Sequence, residues 1–350
     1  MTLSRRNFTK ATGLIALGQL ASTPGFAQAP ALSCVAANPA HIMNYVPHII
    51  AVTQKFMANE GVDLKLITSG GGSKLREIVA AGQVQFAIGD SSHVIQLINR
   101  GKPAKILMGV DTRSPITNIV VRKDLFDKGI TTVEKLAAMK RPDGSKPIIA
   151  VSTIGGGQHV YASYIFEKLG VYNKMNWIGG GVTATMLGGL KTAKFDAMVA
   201  APSWQFEAVE KNFGRLIFDA TNDVVWNTYF AGPMPATCIY TLQSTIDAQP
   251  ALVQAYVNGM YRSMQWLKDA SPNAIWDASG EKYFGELGKD ASIKEAAFFK
   301  SLFNYSGLVS QSAFNNGGRV WFRESTEMKP TTYAEAVDLS FLANSRHKYG

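Results

Sequence analysis

Short apolar runs alternate with amphipathic segments through the first third of the chain. The short runs are typical of buried strands, and apolar residues spaced three or four apart are typical of helices with one buried face. The strand-like runs are LSCVAA (32–37), VDLKLITS (62–69), VQFAIGD (84–90) and KILMGVD (105–111), and the helix-like segments are YVPHIIAVTQKFMANEG (45–61), SKLREIVAAG (73–82) and HVIQLINRG (93–101). This βαβα order predicts an α/β protein with mainly parallel sheets.

The same pattern occurs twice. ITSGGGSKLREIVAAGQVQFAIGDSS (67–92) resembles WIGGGVTATMLGGLKTAKFDAMVAAPS (177–203), with a slip of about one residue. Each copy has a strand end, three glycines, a helix of about three turns and a second strand that carries Phe86 or Phe195. Two similar lobes explain this repeat most simply.

The βα alternation stops after residue 250. The segments ALVQAYVNGMYRSMQWLKDA (251–270) and EAAFFKSLFNYSG (295–307) have helical periodicity, and TTYAEAVDLSFLANS (331–345) is predicted as a terminal helix. We expect this region to pack on one lobe and to return the chain to its start.

The N-terminus has the order of an export signal. SRRNFTK (4–10) is a twin-arginine motif, and a short apolar stretch and a small-residue cleavage site follow it. Residues 1–29 are therefore predicted to be a twin-arginine signal peptide, with cleavage after Ala27 or Ala29. The mature protein is expected in the periplasm.

Charge narrows the range of partners. The 350-residue chain has a formal net charge of +9, of which Arg5, Arg6 and Lys10 leave with the signal. The other basic residues are scattered, without a long Lys/Arg run, so nucleic acid is not an expected partner. A mild positive field instead favours small anions.

The two cysteines, Cys34 and Cys238, fall in strand-like runs and are predicted to be buried thiols.

A series of motifs spans nearly the whole mature chain. In order they are NEGVDLKLI, AAGQVQFAIGD, GKPAKILMGV, NIVVRKD, TTVEKLA, IIAVSTIGGGQHVYASYIFEKLGV and TAKFDAMVAAPS. Together they resemble the periplasmic substrate-binding proteins of the nitrate/sulfonate/taurine ABC-importer family, whose relatives bind pyrimidine thiamine precursors. This chain has Gln85 where the family usually has an aspartate, and it keeps Asp196 at the matching position of the second copy. We interpret this position as structural.

The resemblance implies a type II periplasmic-binding-protein fold, with two α/β lobes, two hinge crossings and a ligand cleft between the lobes. Lobe I would comprise residues 30–112 and 232–350, and lobe II residues 113–231. The crossings would fall near 110–115 and 230–235. The implied function is the solute-binding component of an ABC importer, which acts as a monomer with a membrane permease and its ATPase.

Ligands of open α/β sheets bind beyond the carboxyl ends of the strands, near helix N-termini whose free N–H groups favour an anion. This rule selects the segments 38–45, 70–73, 90–93, 112–114, 153–159, 180–183 and 202–204. The candidate ligand-binding residues within them are Asn38, His41, Tyr45, Ser73, Ser91, Ser92, His93, Arg113, Gly156, Gly157, Gln158, His159 and Trp204. Arg113 is the predicted fixed cation, and Trp204 is the strongest candidate for stacking.

The predicted ligand is a small organic anion, either a sulfonate or an aromatic or aliphatic carboxylate. A pyrimidine thiamine precursor is the alternative, because such a ring prefers acidic and aromatic partners. A non-transport enzyme on the same fold is a further alternative. The chain has no G-x-S-x-G, H-E-x-x-H or paired-Cys motif, so no catalytic residue is assigned.

The glycine runs carry three interpretations. The run at 155–157 lacks the Lys and Ser/Thr of a phosphate-binding loop, so no nucleotide cofactor is expected. Open backbone amides around an anion would explain it, and so would a tight turn without a ligand.

Four histidines (His41, His48, His93, His159) lie in or near the predicted cleft, but their spacing includes no H-x-x-x-H pair. Anion-facing or structural histidines are preferred to a metal site.

Overall fold

The computed structural model describes residues 32–350, which contain two five-stranded sheets. The signal-peptide prediction lies outside the described residues. The strands are β1 (Leu32–Asn38), β2 (Val62–Thr68), β3 (Phe86–Asp90), β4 (Ala104–Gly109), β5 (Asn118–Arg122), β6 (Ile148–Val151), β7 (Asn176–Gly179), β8 (Ala197–Ala200), β9 (Gly214–Phe218) and β10 (Thr237–Leu242).

Helices cover both sheets and make up the C-terminal region. They are α1 (Val46–Thr53), α2 (Phe56–Asn59), α3 (Gly72–Ala80), α4 (Ser92–Asn99), α5 (Lys123–Asp127), α6 (Val133–Ala138), α7 (Gly157–Lys168), α8 (Thr183–Lys191), α9 (Pro202–Glu210), α10 (Asp223–Phe230), α11 (Gln243–Ala248), α12 (Pro250–Asp269), α13 (Pro272–Phe284), α14 (Lys289–Lys300), α15 (Gln311–Trp321), α16 (Tyr333–Ala336) and α17 (Ser340–Tyr349). Short 3-10 helices occupy Met43–Tyr45, Pro115–Thr117, Tyr172–Lys174 and Glu324–Thr326.

The two sheets have equivalent topologies. The first has the order β2-β1-β3-β10-β4, and the second has the order β7-β6-β8-β5-β9. In the first sheet only β10 runs antiparallel to its neighbours, and in the second only β5 does. Each of these two strands enters its sheet directly after the chain crosses from the other one, which explains its reversed direction. The predicted mainly parallel sheets are therefore confirmed, with one antiparallel strand in each.

The two crossing segments run side by side. The Val110 N–H donates to the Thr237 carbonyl at 2.9 Å, and the Met234 N–H donates to the Thr112 carbonyl at 2.9 Å. The buried Asp111 joins them further, because its Oδ1 accepts the N–H groups of Ala236 (3.0 Å) and Thr237 (2.8 Å).

The sequence repeat corresponds to β2-α3-β3 and β7-α8-β8, at equivalent places in the two sheets. The position that departs from the family pattern has the same role in both copies. Gln85 Oε1 accepts the N–H of Val35 at 2.8 Å, and Asp196 Oδ2 accepts the N–H of Ile148 at 2.8 Å. Each side chain thus joins the start of one strand to its neighbour, so the structural interpretation is confirmed.

Two predicted helices are interrupted. The segment 45–61 divides at Lys55, which has a left-handed φ of 58°, and α2 then places Met57 against Gly259 of α12. The segment 331–345 divides at Val337, which forms a parallel β-bridge with Ile106. At the second break the Asp338 N–H donates to the Ile106 carbonyl at 3.0 Å, and this bond takes the place of a helical hydrogen bond.

The C-terminal helices contact both halves of the molecule. Helices α12 and α17 pack near α1 and β4, whereas α14 packs on α9 and α15 on α7. The Trp321 indole N–H donates to the Tyr161 hydroxyl at 3.4 Å, and Arg323 pairs with Glu167 at 3.1 Å. The expectation that this region packs on one lobe is therefore wrong, and the lobe boundaries stay a prediction.

Cys34 in β1 and Cys238 in β10 are buried free thiols, as predicted. Burial raises the pKa of Cys34 to about 12, so this thiol stays protonated and unreactive. Within residues 32–350 no helix combines the length and apolar character needed to cross a membrane.

Candidate functional site

A cavity lies between the two sheets, at the ends of their parallel strands. It is lined by Pro39, Ala40, Ile42, Tyr45, Gly71, Gly72, Asp90, His93, Ile116, Ser152, Gly157, Gln158, Val182, Trp204 and Thr237. Every predicted segment except 112–114 contributes a residue. Its volume of about 40 Å³ has room for about three water-sized groups. A larger ligand therefore fits only if the walls move slightly apart while they close on it.

The walls are mainly apolar and aromatic. Tyr45 ends the 3-10 helix that follows β1, and Trp204 lies in the first turn of α9, directly after β8. The Trp204 indole N–H donates to Thr183 Oγ1 at 3.2 Å, and the side chain is buried. This hydrogen bond fixes the plane of the indole ring, because a buried Trp N–H needs a partner.

Asp90 and His93 supply the ionisable groups of the cavity. Burial raises the pKa of Asp90 to about 6, although its Oδ1 accepts the N–H of Ser92 at 2.9 Å. Burial also lowers the pKa of His93 to about 3, so its imidazole is neutral. Its Nδ1 lies 3.1 Å from the Tyr240 hydroxyl, and its Nε2 has no hydrogen-bond partner within residues 32–350. The cavity thus offers a carboxyl group and a free imidazole nitrogen.

The predicted cation lies elsewhere. No Lys or Arg is among the residues that line the cavity. Arg113 instead forms an ion pair with Asp223, in the first turn of α10. The structure thus does not bring Arg113 together with the other candidates.

The glycine runs at 70–72 and 155–157 pack directly on one another. A Cβ at Gly71 would lie 2.5 Å from Thr153 Cγ2, and a Cβ at Gly72 would lie 3.6 Å from the Cα of Gly156. Ser73 Oγ donates to the Ile154 carbonyl at 2.9 Å across the same contact. Since side chains would separate the two loops, these glycines permit close approach of the two halves.

Gly157 makes a second close contact across the cleft. A Cβ there would lie 2.8 Å from Cγ of Asp90 and 3.0 Å from its Cβ. Gln158, the next residue, lines the cavity but has both ends of its amide occupied. Its Oε1 accepts the Ser152 N–H at 3.0 Å, and its Nε2 donates to the Ile116 carbonyl at 3.2 Å. Gln158 therefore shapes the wall and leaves Gly157 beside Asp90.

The remaining candidates lie around the cavity without lining it. Asn38 Oδ1 accepts from His48 Nδ1 at 2.6 Å in a buried polar pair beneath the cavity. Ser91 and Ser92 are also buried, at the start of α4. His41 lines an outer groove against Tyr283. His159 lies in a separate groove, where its Nδ1 accepts the Gly155 N–H at 3.3 Å.

Metal-binding side chains do not converge in the described part of the chain: no three His, Cys, Asp or Glu residues come together there as a metal site requires. The histidines near the cleft are dispersed over four environments.

Three lining residues lie outside every predicted segment: Ile116, Ser152 and Thr237. Asp90 lies inside a predicted segment but was not among the candidate ligand-binding residues. Thr237 begins the antiparallel strand β10, so a rule based on carboxyl ends of strands misses it. Its Oγ1 accepts from Asn44 Nδ2 at 2.9 Å, and its N–H donates to Asp111. The polar side chain at the start of an apolar run, TCIYTL, is the only local signal.

The buried acids should make stability depend on pH. Burial raises the pKa of Asp111 to about 8, against hydrogen bonds from Thr237 that lower it, and that of Asp90 to about 6. The folded state therefore holds protons that the unfolded chain releases near its ordinary value of 3.8. Below about pH 6.5 the buried His48 and His93 act in the opposite direction, because burial lowers their pKa values to about 3 and the unfolded chain binds protons that these folded-state histidines do not. Above about pH 6.5 both histidines are neutral in either state, so we expect the free energy of unfolding to fall as pH rises from there to about 8.

Urea unfolding at a series of pH values measures this slope. Asp111→Asn keeps an acceptor for both backbone N–H groups and should flatten the slope between about pH 6 and 8. A slope of the opposite sign, or one unchanged in Asp111→Asn, would contradict the assignment.

Comparison with known proteins agrees with this architecture. Residues 40–277 match the model of the NMT1-like family. A Bordetella bronchiseptica protein is 23% identical, with a TM-score of 0.76, covering 91% of this chain and 98% of its own. The periplasmic nitrate-binding protein of Synechocystis is 14% identical, with a TM-score of 0.68 (91% and 89% covered). A desulfurization enzyme is 13% identical, with a TM-score of 0.60 (91% and 100% covered).

No curated protein matches the chain. The family match covers more than half of the sequence, and the structural matches extend over both sheets. The predicted fold class is confirmed. The chain belongs to the NMT1-like family and has the two-lobed fold of periplasmic binding proteins.

Proposed function

We propose that this protein is the periplasmic solute-binding component of an ABC importer, and that its cavity captures a small planar nitrogen heterocycle such as an aminopyrimidine. The observation that carries the proposal is the acidic, aromatic lining of the cavity. Among the described residues that line it, Asp90 is the only acid or base other than histidine, and the walls include Tyr45 and Trp204. A permease and its ATPase at the inner membrane are the partners this function requires.

The chemistry of the lining favours this ligand class over an anion. The carboxyl group of Asp90 accepts hydrogen bonds from an exocyclic amine or a protonated ring nitrogen, and such charge-assisted bonds are among the stronger ones. The free Nε2 of His93 offers a further polar contact. Tyr45 and Trp204 supply flat apolar surface for the ring. An anion would instead be buried beside a carboxylate, which is costly without a cation.

A small organic anion, the leading expectation from the sequence, is the second candidate. The observation that favours it is the N-terminus of α7, a 12-residue helix whose N-cap residue, Gly156, provides no side-chain cap. The first N–H groups of such a helix, with its dipole, attract negative charge. An anion bound there would make Asp90 take up a proton.

A ligand screen by thermal unfolding separates the two candidates. Aminopyrimidine, benzoate, benzenesulfonate and nitrate are added to the mature protein, and the shift in unfolding temperature is measured. At 100 times the dissociation constant a ligand adds about 2.7 kcal/mol to the stability of the native state. We expect a shift with aminopyrimidine alone, whereas a shift with the anions alone would overturn the proposed ligand class.

The enzyme alternative is tested with the same samples. After prolonged incubation the bound compound is recovered and analysed by mass spectrometry. Unchanged aminopyrimidine is the expected result for a transport component. A product that accumulates in proportion to time and protein concentration would establish catalysis instead.

A further inference from the structure

Glu295 is a buried acid outside the cavity. It lies in α14, and its side chain is 0% exposed. Its Oε1 accepts the backbone N–H of Ser203 at 3.0 Å, and its Oε2 is buried without a hydrogen-bond partner in residues 32–350. The neighbouring Lys294 points outward and pairs with Glu210 instead. Nothing in the cavity chemistry described above uses Glu295.

The carboxyl group of Glu295 contacts one wall of the cavity, and its helix packs against the other. Ser203 is the second residue of α9 and directly precedes Trp204. On the other side, α14 packs against the 3-10 helix that begins at Met43 and ends in Tyr45. Helix α14 packs against both elements. Glu295 and its helix α14 thus connect a segment that follows β8 with a segment that follows β1.

The start of α9 requires such an acceptor. The first N–H groups of a helix have no intrahelical partner, and the N-cap of α9 is Ala201, which has no side-chain acceptor. Glu295 supplies the acceptor from a distant helix. Its burial is costly, since it raises the pKa of the carboxyl group to about 7. An apolar residue would avoid that cost but would leave the Ser203 N–H unpaired.

We propose that Glu295 is a positioning residue for ligand binding. Its carboxyl group holds the start of α9 on α14, which packs on the 43–45 turn, and so sets the separation of Trp204 and Tyr45 in the closed protein. This link through Glu295 and α14 joins the two lobes, each of which is built on one sheet. The inference rests on the proposed function in one respect, namely that the cavity between these aromatic residues holds the ligand.

The link between the lobes through Glu295 is tested first without any ligand. Spin labels are placed at Lys65→Cys and Lys128→Cys, two exposed positions on the first and second halves, in a protein whose buried Cys34 and Cys238 are replaced by alanine. Distances between the labels are then measured by pulsed electron paramagnetic resonance. Glu295→Ala should produce a population with longer distances. Glu295→Gln, which keeps the acceptor oxygen, should stay close to the parent protein. Identical distributions in all three would overturn the inference.

Binding of aminopyrimidine, measured by titration calorimetry, gives the second readout. Glu295→Ala should weaken it about tenfold, as expected for a lost hydrogen bond to a buried N–H. Glu295→Gln should restore most of the affinity. Lys294→Ala removes only the exposed ion pair of the same helix and should change nothing. Equal affinity in Glu295→Ala and the parent overturns the inference.

The two proposals fail in distinguishable ways. If neither the parent nor any variant binds aminopyrimidine but Glu295→Ala still lengthens the distances between the spin labels, the link between the lobes is supported and the ligand assignment is overturned. If aminopyrimidine binds the parent and Glu295→Ala alike, with unchanged distances, the ligand assignment stands and the role of Glu295 is overturned.

Discussion

Asp90→Asn should reverse the ligand preference of the cavity. Among the described lining residues Asp90 is the only acid or base other than histidine, and the proposed ligand donates hydrogen bonds to its carboxyl group. A hydrogen bond to a charged group contributes about 1.5–3 kcal/mol, so affinity for aminopyrimidine should fall about ten- to hundredfold. Benzoate should bind more tightly to the variant, because the negative charge that opposes it has been removed.

Calorimetric titration of both compounds against the parent and the variant measures the reversal. Asparagine keeps the acceptor for the Ser92 N–H, so the variant should stay folded. Asp247→Asn, at an exposed position of α11, is the matched control and should leave both affinities unchanged. If Asp90→Asn binds aminopyrimidine as tightly as the parent, Asp90 is not the anchor of the ligand.

Gly157→Ala should prevent the two halves from closing. The added Cβ would meet the Asp90 side chain at 2.8 Å from Cγ and 3.0 Å from Cβ. Asp90 cannot swing aside easily, since it is buried and bonded to Ser92. Overpacking of this kind costs about 1–3 kcal/mol, which corresponds to a loss of ligand affinity of about five- to 140-fold.

Gly188→Ala provides the matched comparison. A Cβ at this position in α8 meets nothing within 4 Å, and alanine favours a helix over glycine. This variant should bind as the parent does and unfold at a slightly higher temperature. Small-angle X-ray scattering should show a larger radius of gyration for Gly157→Ala alone. A compact Gly157→Ala protein with full affinity would contradict the contact with Asp90.

Local patterns predicted the position of the cavity well. The ends of strands can be recognised from short apolar runs. The rule that ligands bind beyond these ends needs no information about residues far away in the sequence. The segments that carry Tyr45, Asp90, Gln158 and Trp204 were found in this way. Thr237 was missed because its strand runs in the opposite direction, which follows from the crossing between sheets and not from any local pattern.

Pairing between distant residues was beyond sequence reasoning. Arg113 has the chemistry of an anion-binding residue, but its partner Asp223 lies 110 positions further along the chain. A run of three glycines has the same sequence whether its backbone binds a ligand or packs against a neighbouring loop. Only the approach of Thr153 to Gly71 distinguishes the two cases. Likewise, the break at Val337 depends on its bridge to Ile106, which no helical periodicity could indicate.

The exchange of strands between the two sheets has a consequence for biosynthesis. The second sheet has all five of its strands once Phe218 has been synthesised, whereas the first lacks a central strand until Leu242 follows. Ribosomes add residues in order, and segments fold as they emerge. The sheet that is begun first is therefore completed last, and until β10 is synthesised β3 and β4 each lack the strand that pairs with both of them.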